Sequence, residues 1–355
     1  MSRRLRTVIL ALLLVVAYVF AFPRSTDREP MLERRWVVDV AEAADGGSVS
    51  HGPDDVQDSG LIPFELGDQF GYLSTDGRLA HLETVRYGLA ASKEYFSNFS
   101  VISENIVLQG PDGGLVRSIP APGYPYISGE RIYVFAPDGS TVSEWTADGE
   151  ERWSRDFVSA VTDLDAGPRH TVVGLVDGRV RLIDSEGNEI YTYRPEQSRI
   201  PVALSAALSA DEEHLAAVVG VDPQKLVLIA RHSEGYFPDV EVRLESDFRR
   251  PVLLEFIGGG RLLAAEQPEA LLVYDAETQA LVRVVLEGAP LAVEYMPEHR
   301  AVVVLARGQL RAVVPEAGPL FTEALDGEDF SLRVDDGRIY LGVDGRIACV
   351  ALSRG

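Results

Sequence analysis

Along most of the chain, apolar and polar positions alternate in short runs, and each run pairs with another across a tight turn. The pattern reads as GYLSTDGRLAHLE from Gly71, IVLQGPDGGLVRSI from Ile106, RIYVFAPDGSTVSEW from Arg131 and TVVGLVDGRVRLID from Thr171. Weaker copies begin at Leu215, Leu262, Ala301 and Arg338. A period of two with many Val, Ile and Tyr predicts β-strands and excludes a helical solenoid, whose apolar stripe would repeat every three to four residues. The Asp-Gly pairs supply the positive φ that two-residue hairpin turns require, so turn chemistry and strand pattern agree. One hairpin cannot bury both of its apolar faces, and its recurrence predicts stacking of a single repeated unit.

The turns centre on Gly77, Gly113, Gly139, Gly178, Pro223, Glu269, Gly308 and Gly345, a span of 345 − 77 = 268 residues over seven intervals, or about 38 residues each. That is the size of a four-stranded propeller blade. A second turn often follows, as at Ala147-Asp148-Gly149 and Ser185-Glu186-Gly187-Asn188, which places the first hairpin in the middle of a blade. The interval from Gly113 to Gly139 is only 26 residues. Either the second blade lacks its outer strand, giving eight blades, or its hairpin embellishes a seven-bladed ring. The fold class predicted is all-β, a propeller of about eight blades, with a strand over 35–40 completing the last blade and removing its open edge. Arg35-Trp36-Val37-Val38 resembles the outer-strand segment Glu151-Arg152-Trp153-Ser154.

A different segment comes first. Arg3, Arg4 and Arg6 precede an apolar run from Val8 to Phe22, short for a membrane span and equally suited to a secretory signal. Residues 1–30 are therefore expected to form either an uncleaved transmembrane anchor or a cleaved signal helix, followed by a propeller over 31–355. In both cases the basic end stays inside and the propeller is exported: anchored on the outer face of the cytoplasmic membrane, or released into the periplasm.

Charge follows the same division. Residues 1–35 hold seven Arg against Asp27, Glu29 and Glu33, or +4, which leaves −22 − 4 = −26 on the remainder. So acidic a surface argues against nucleic acid as a partner, since phosphate binding draws on neutralising cations. Residues 41–60 read as a polar acidic loop; Asp54, Asp55 and Asp58 lack the ligand alternation of a calcium site. Cys349 is the single cysteine, which leaves no intrachain disulfide and no thiolate cluster. The six histidines show no metal-ligand spacing, and no nucleophile elbow, phosphate loop or dinucleotide fingerprint occurs. Asp163 and Asp165 alternate on one strand and so share a face that blade geometry can bring near a central channel.

The run Val176-Asp177-Gly178-Arg179-Val180-Arg181-Leu182-Ile183-Asp184-Ser185-Glu186-Gly187 resembles the repeats of the quinoprotein-like and WD40/YVTN-like propeller superfamily. The resemblance spans roughly 35–352. It implies the fold and carries no catalytic residue. Members that hold the quinone dock it with tryptophans in most blades. Only Trp36, Trp145 and Trp153 occur here, so no cofactor is expected. Envelope members without it, such as the outer-membrane assembly lipoprotein of this fold, act in docking and assembly, although the lipid-modified cysteine of that protein has no counterpart. The expectation is a non-catalytic scaffold binding an envelope protein, with an exported propeller hydrolase or lactonase built on a central metal as the alternative. Tyr95, Phe96, Phe99, Tyr124 and Tyr126, interspersed with Pro120, Pro122 and Pro125, form the candidate partner surface. The same rings could instead fill the wedge beside a missing strand.

Overall fold

The computed structural model describes residues 30–40, 60–100, 104–195 and 198–354. The apolar run Val8 to Phe22 and nearly all of the 41–60 loop lie outside them. No helix among the described residues is long and apolar enough to cross a membrane.

Eight antiparallel sheets form the ring. Strand β1 (Pro30–Asp39) comes first, followed by the first blade, β2 (Ile62–Leu66), β3 (Gln69–Leu73) and β4 (Leu79–Thr84). The second blade is β5 (Gly88–Ala91), β6 (Phe96–Phe99), β7 (Ile106–Gln109) and β8 (Leu115–Ile119), and the third β9 (Tyr124–Ser128), β10 (Arg131–Phe135), β11 (Thr141–Trp145) and β12 (Glu151–Asp156). The fourth holds β13 (Val161–Ala166), β14 (Thr171–Leu175), β15 (Val180–Ile183) and β16 (Glu189–Tyr193), and the fifth β17 (Ile200–Leu208), β18 (His214–Val221), β19 (Lys225–His232) and β20 (Gly235–Arg243). The sixth is β21 (Leu254–Ile257), β22 (Leu262–Gln267), β23 (Ala270–Asp275) and β24 (Ala280–Val285); the seventh β25 (Pro290–Met296), β26 (Ala301–Ala306), β27 (Gln309–Val314) and β28 (Gly318–Ala324). The eighth has β29 (Phe330–Asp335), β30 (Arg338–Val343) and β31 (Arg346–Arg354), with β1 as its outer strand.

β1 pairs with β31 from Pro30↔Arg354 to Asp39↔Arg346, so the closing strand begins five residues before the expected 35–40. Trp36 Nε1 donates to the Thr75 carbonyl at 3.1 Å, which ties the eighth blade to the first. Each blade buries both faces, because strand side chains alternate between the two neighbours. In the fifth, Leu215, Ala217 and Val219 pack toward Val172 and Leu182 of the fourth, while Ala216 and Val218 pack toward Leu263 and Ala265 of the sixth.

The short interval has a different origin from the one expected. The second blade is complete; among the described residues it is the first that has three strands. Which strand it lacks follows from direction. All other innermost strands run from one face, here the upper, to the lower. Gly67, at the end of β2, lies against Asp329, at the start of β29: a Cβ on Gly67 would stand 2.6 Å from Asp329 Oδ2. β2 therefore ends where its neighbour begins, and runs as a second strand does. Turn packing agrees, since Gly187, before outer strand β16, sits against Trp153 of outer strand β12, and Gly77, before β4, sits the same way against Trp36 of outer strand β1. β2, β3 and β4 are thus second, third and outer strands, and the channel-facing strand is the one that is not among the described residues. Gly77 and Gly113 are third-to-outer turns, in step with Gly149 at 36-residue intervals, whereas Gly139 and Gly178 join second to third strands.

Candidate functional site

The inner strands enclose a central cavity of about 920 Å³ that widens along β2, β5 and β29. Into it project Glu65, Glu255, Glu294 and Asp335 with two cations, Lys93 and Arg333. Both cations are engaged: Lys93 Nζ lies 2.8 Å from Asp335 Oδ1, and Arg333 Nη1 lies 3.1 Å from Glu294 Oε1. Among the described residues, no salt bridge is formed by Glu65 or Glu255. Glu255 is exposed in the channel yet ringed by protein, and desolvation followed by repulsion from Glu294 pushes its pKa up to about 7. Desolvation also raises Glu65. The site is chemically a carboxylate-rich channel suited to basic groups, and no group of three or more His, Cys, Asp or Glu among the described residues is arranged to hold a metal ion.

Asp163 and Asp165 do share a face and do reach the neighbouring blade. Asp163 Oδ2 accepts the Ala206 N–H and Asp165 Oδ2 the Leu208 N–H, each at 2.9 Å. They cap the inner edge of β17, which has no further strand to pair with, and so work as fasteners between blades four and five. Burial raises both, Asp163 to about 6, even though each accepts two backbone bonds that favour the charged form.

The five aromatic candidates do not form one surface. Phe96 is fully buried between the first and second blades against Phe70 and Tyr72. Tyr95 packs half-buried on the cluster between blades two and three. Tyr126 packs on the cluster between blades three and four and borders the cavity, where burial raises its phenol. Only Phe99 and Tyr124 meet each other, with ring centroids 6.2 Å apart, and they are joined by Tyr87 at 6.2 and 6.5 Å. Tyr87 precedes β5, Phe99 ends β6 and Tyr124 begins β9, so this cluster lies on the upper face. Tyr87 is 57% exposed. Pro125 sits at a channel-edge position of β9, where its missing N–H removes no ladder bond. Glu65, Glu255, Glu294 and Arg333 had no motif to mark them in the sequence, because each comes from a different strand and only ring closure brings them together; Tyr87, in the bend before β5, was likewise unmarked.

With this geometry in hand, comparison with known proteins is informative. Residues 2–355 match the profile of a family described as beta-propeller protein. The chain belongs to that family. It is 25% identical over 355 residues to a Treponema pallidum (strain Nichols) protein described as "Uncharacterized protein", covering 96% of this chain and 92% of that one. Among solved structures, BamB from Moraxella catarrhalis superposes with a TM-score of 0.55 at 14% identity, over 90% of this propeller chain and 100% of BamB. At that identity the likeness speaks for the fold.

Proposed function

We propose that this propeller is a non-catalytic binding scaffold of the cell envelope, a quinoprotein-like or WD40-like ring without the quinone, held on the outer face of the cytoplasmic membrane by residues 8–22. The observation that carries the reading is the Tyr87–Phe99–Tyr124 cluster: three touching rings on the upper face, one of them mostly exposed. Aromatic groups with one accessible side give large contact area at small conformational cost and are favoured anchors of protein interfaces. Propellers present such anchors on a rigid frame, and no local catalytic motif is needed for that use.

The reading is tested by capture from detergent-solubilised membranes with the full chain and with Tyr87→Ala/Tyr124→Ala. Truncation of true anchors costs about 2 kcal/mol or more of binding each, so partner recovery should fall at least tenfold while the melting temperature changes little. A lowered melting temperature with capture intact would assign these rings to packing instead.

A further inference from the structure

The direction of β1 fixes where the chain enters the ring. Inner strands run from the upper face to the lower and directions alternate within a blade, so an outer strand runs upward. As the outer strand of the eighth blade, β1 begins with Pro30 at the lower face, opposite Arg354, and ends with Asp39 opposite Arg346. The upper end is pinned independently: Val40 donates its N–H to the carbonyl of Gly345, in the turn between second and third strands, at 2.7 Å. Ten residues make β1 about 30 Å long.

Covalent reach limits how far this entry point can stand from a membrane that holds residues 8–22. Residues 23–29 separate Phe22 from Pro30, and eight Cα steps at full extension reach about 28 Å. Part of that reach is used within the bilayer. Fifteen residues of helix rise about 22 Å, less than the roughly 30 Å hydrocarbon core, and the outer headgroup layer adds roughly 5 Å or more. Pro30 is therefore held within about 20 Å of the lipid surface. With the upper face on the bilayer, Pro30 would stand most of the length of β1 above it, beyond that reach.

Charge separates the remaining orientations. The lower turns before the outer strands of blades three to seven carry Asp148, Glu150, Glu186, Glu234, Glu277 and Glu316, with no Lys or Arg in those turns. β1 carries Arg34 and Arg35 against Glu33, all three exposed, and beside them Met31 is 63% exposed. An anionic headgroup surface repels the first set and accepts the second. We infer that the lower rim of the eighth blade, at Met31, Arg34 and Arg35, is seated on an anionic bilayer surface, with the acidic lower turns of the opposite blades lifted from it and the upper face turned outward. This rests on the reading of residues 8–22 as an anchor and deepens it: the Tyr87 cluster is presented away from the membrane.

The test uses the full chain in vesicles of phosphatidylethanolamine and phosphatidylglycerol whose headgroups carry an energy-transfer acceptor. A donor dye is placed in turn through Met31→Cys, Glu234→Cys in the lower turn of the fifth blade, and Val158→Cys on the upper face; Cys349 is buried and takes no label. Transfer from position 31 should exceed that from position 158 at least threefold, and should also exceed that from position 234. Twenty Gly-Ser residues inserted after Glu29 should at least halve the difference between positions 31 and 158. Equal transfer from 31 and 158, transfer from 234 as large as from 31, or a difference unaffected by the insertion would each overturn the inference. Release of the chain from the vesicles by alkaline carbonate would instead overturn the anchoring reading itself, so the two failures are told apart.

Discussion

Glu144 has no solvent contact, and its charge is met inside the protein. Arg131 binds it through two nitrogens at 2.6 and 3.0 Å, Trp153 Nε1 donates at 2.7 Å and Arg152 at 3.1 Å. Arg131 also donates to the Gly167 and His170 carbonyls of the next blade, and that same turn donates the Arg169 and His170 amides to Glu212 of the fifth blade. Three blades are thus fastened by polar groups near the lower face. Glu144→Ala strands the Arg131 charge and should cost roughly 3–5 kcal/mol, read as a loss of thermal stability. Gly77 is constrained in another way: its φ is +87° and a Cβ would stand 2.8 Å from Trp36 Cδ2. Gly77→Ala should therefore destabilise by more than the roughly 1 kcal/mol of an ordinary glycine replacement.

Single carboxylates also fix how stability depends on pH. Glu255, with its pKa near 7 in the folded protein against an ordinary 4.5, keeps a proton there that the unfolded chain releases. Folding is then favoured by protonation, and this contribution fades as pH rises from about 4.5 to about 7. Asp163, near 6, acts in the same direction. The chain should melt at a higher temperature at pH 5.5 than at pH 8, and Glu255→Gln should raise the pH 8 value by more than the pH 5.5 value. An unaltered melting temperature of that variant at pH 8 would mean that the channel does not desolvate Glu255.

Strands and turns were legible in the sequence to different degrees. Alternation and Asp-Gly pairs marked the hairpins because both reflect local backbone requirements. The order of strands within a blade was less accessible, since Asp-Gly serves second-to-third and third-to-outer turns equally well. Gly77 and Gly113 belong to the second kind and Gly139 to the first, and that change of class produces the 26-residue interval that suggested an incomplete second blade. The aromatic rings show the same limit: Phe96 and Phe99 are three residues apart, yet one is sealed between blades and the other joins Tyr87 and Tyr124. Ring closure gives a prediction of its own. Removal of residues 1–39 should leave β31 with an unpaired edge and yield aggregates by light scattering, whereas removal of residues 1–29 should leave the propeller monomeric. A monomeric product from the longer deletion, with an unchanged melting temperature, would show that β1 is dispensable for closure.

The chain is strongly acidic and carries a cluster of aromatics on the upper face of the ring. A net charge of −22 disfavours self-association and favours basic partners, so capture should weaken as salt rises from 0.05 to 0.5 M, with a loss of about tenfold or more where several exposed charges contribute. The central claim, that this propeller binds another protein through the upper face of its second and third blades, is tested most directly by placing a photo-crosslinking residue at Tyr87 in living cells, with Val285 on the outer strand of the sixth blade as the control. Val285 is equally exposed, at 58% against 57%, and lies away from the aromatic cluster. The account predicts one defined crosslinked species from position 87 and none from position 285. The same species from both positions, or none from position 87, would contradict it.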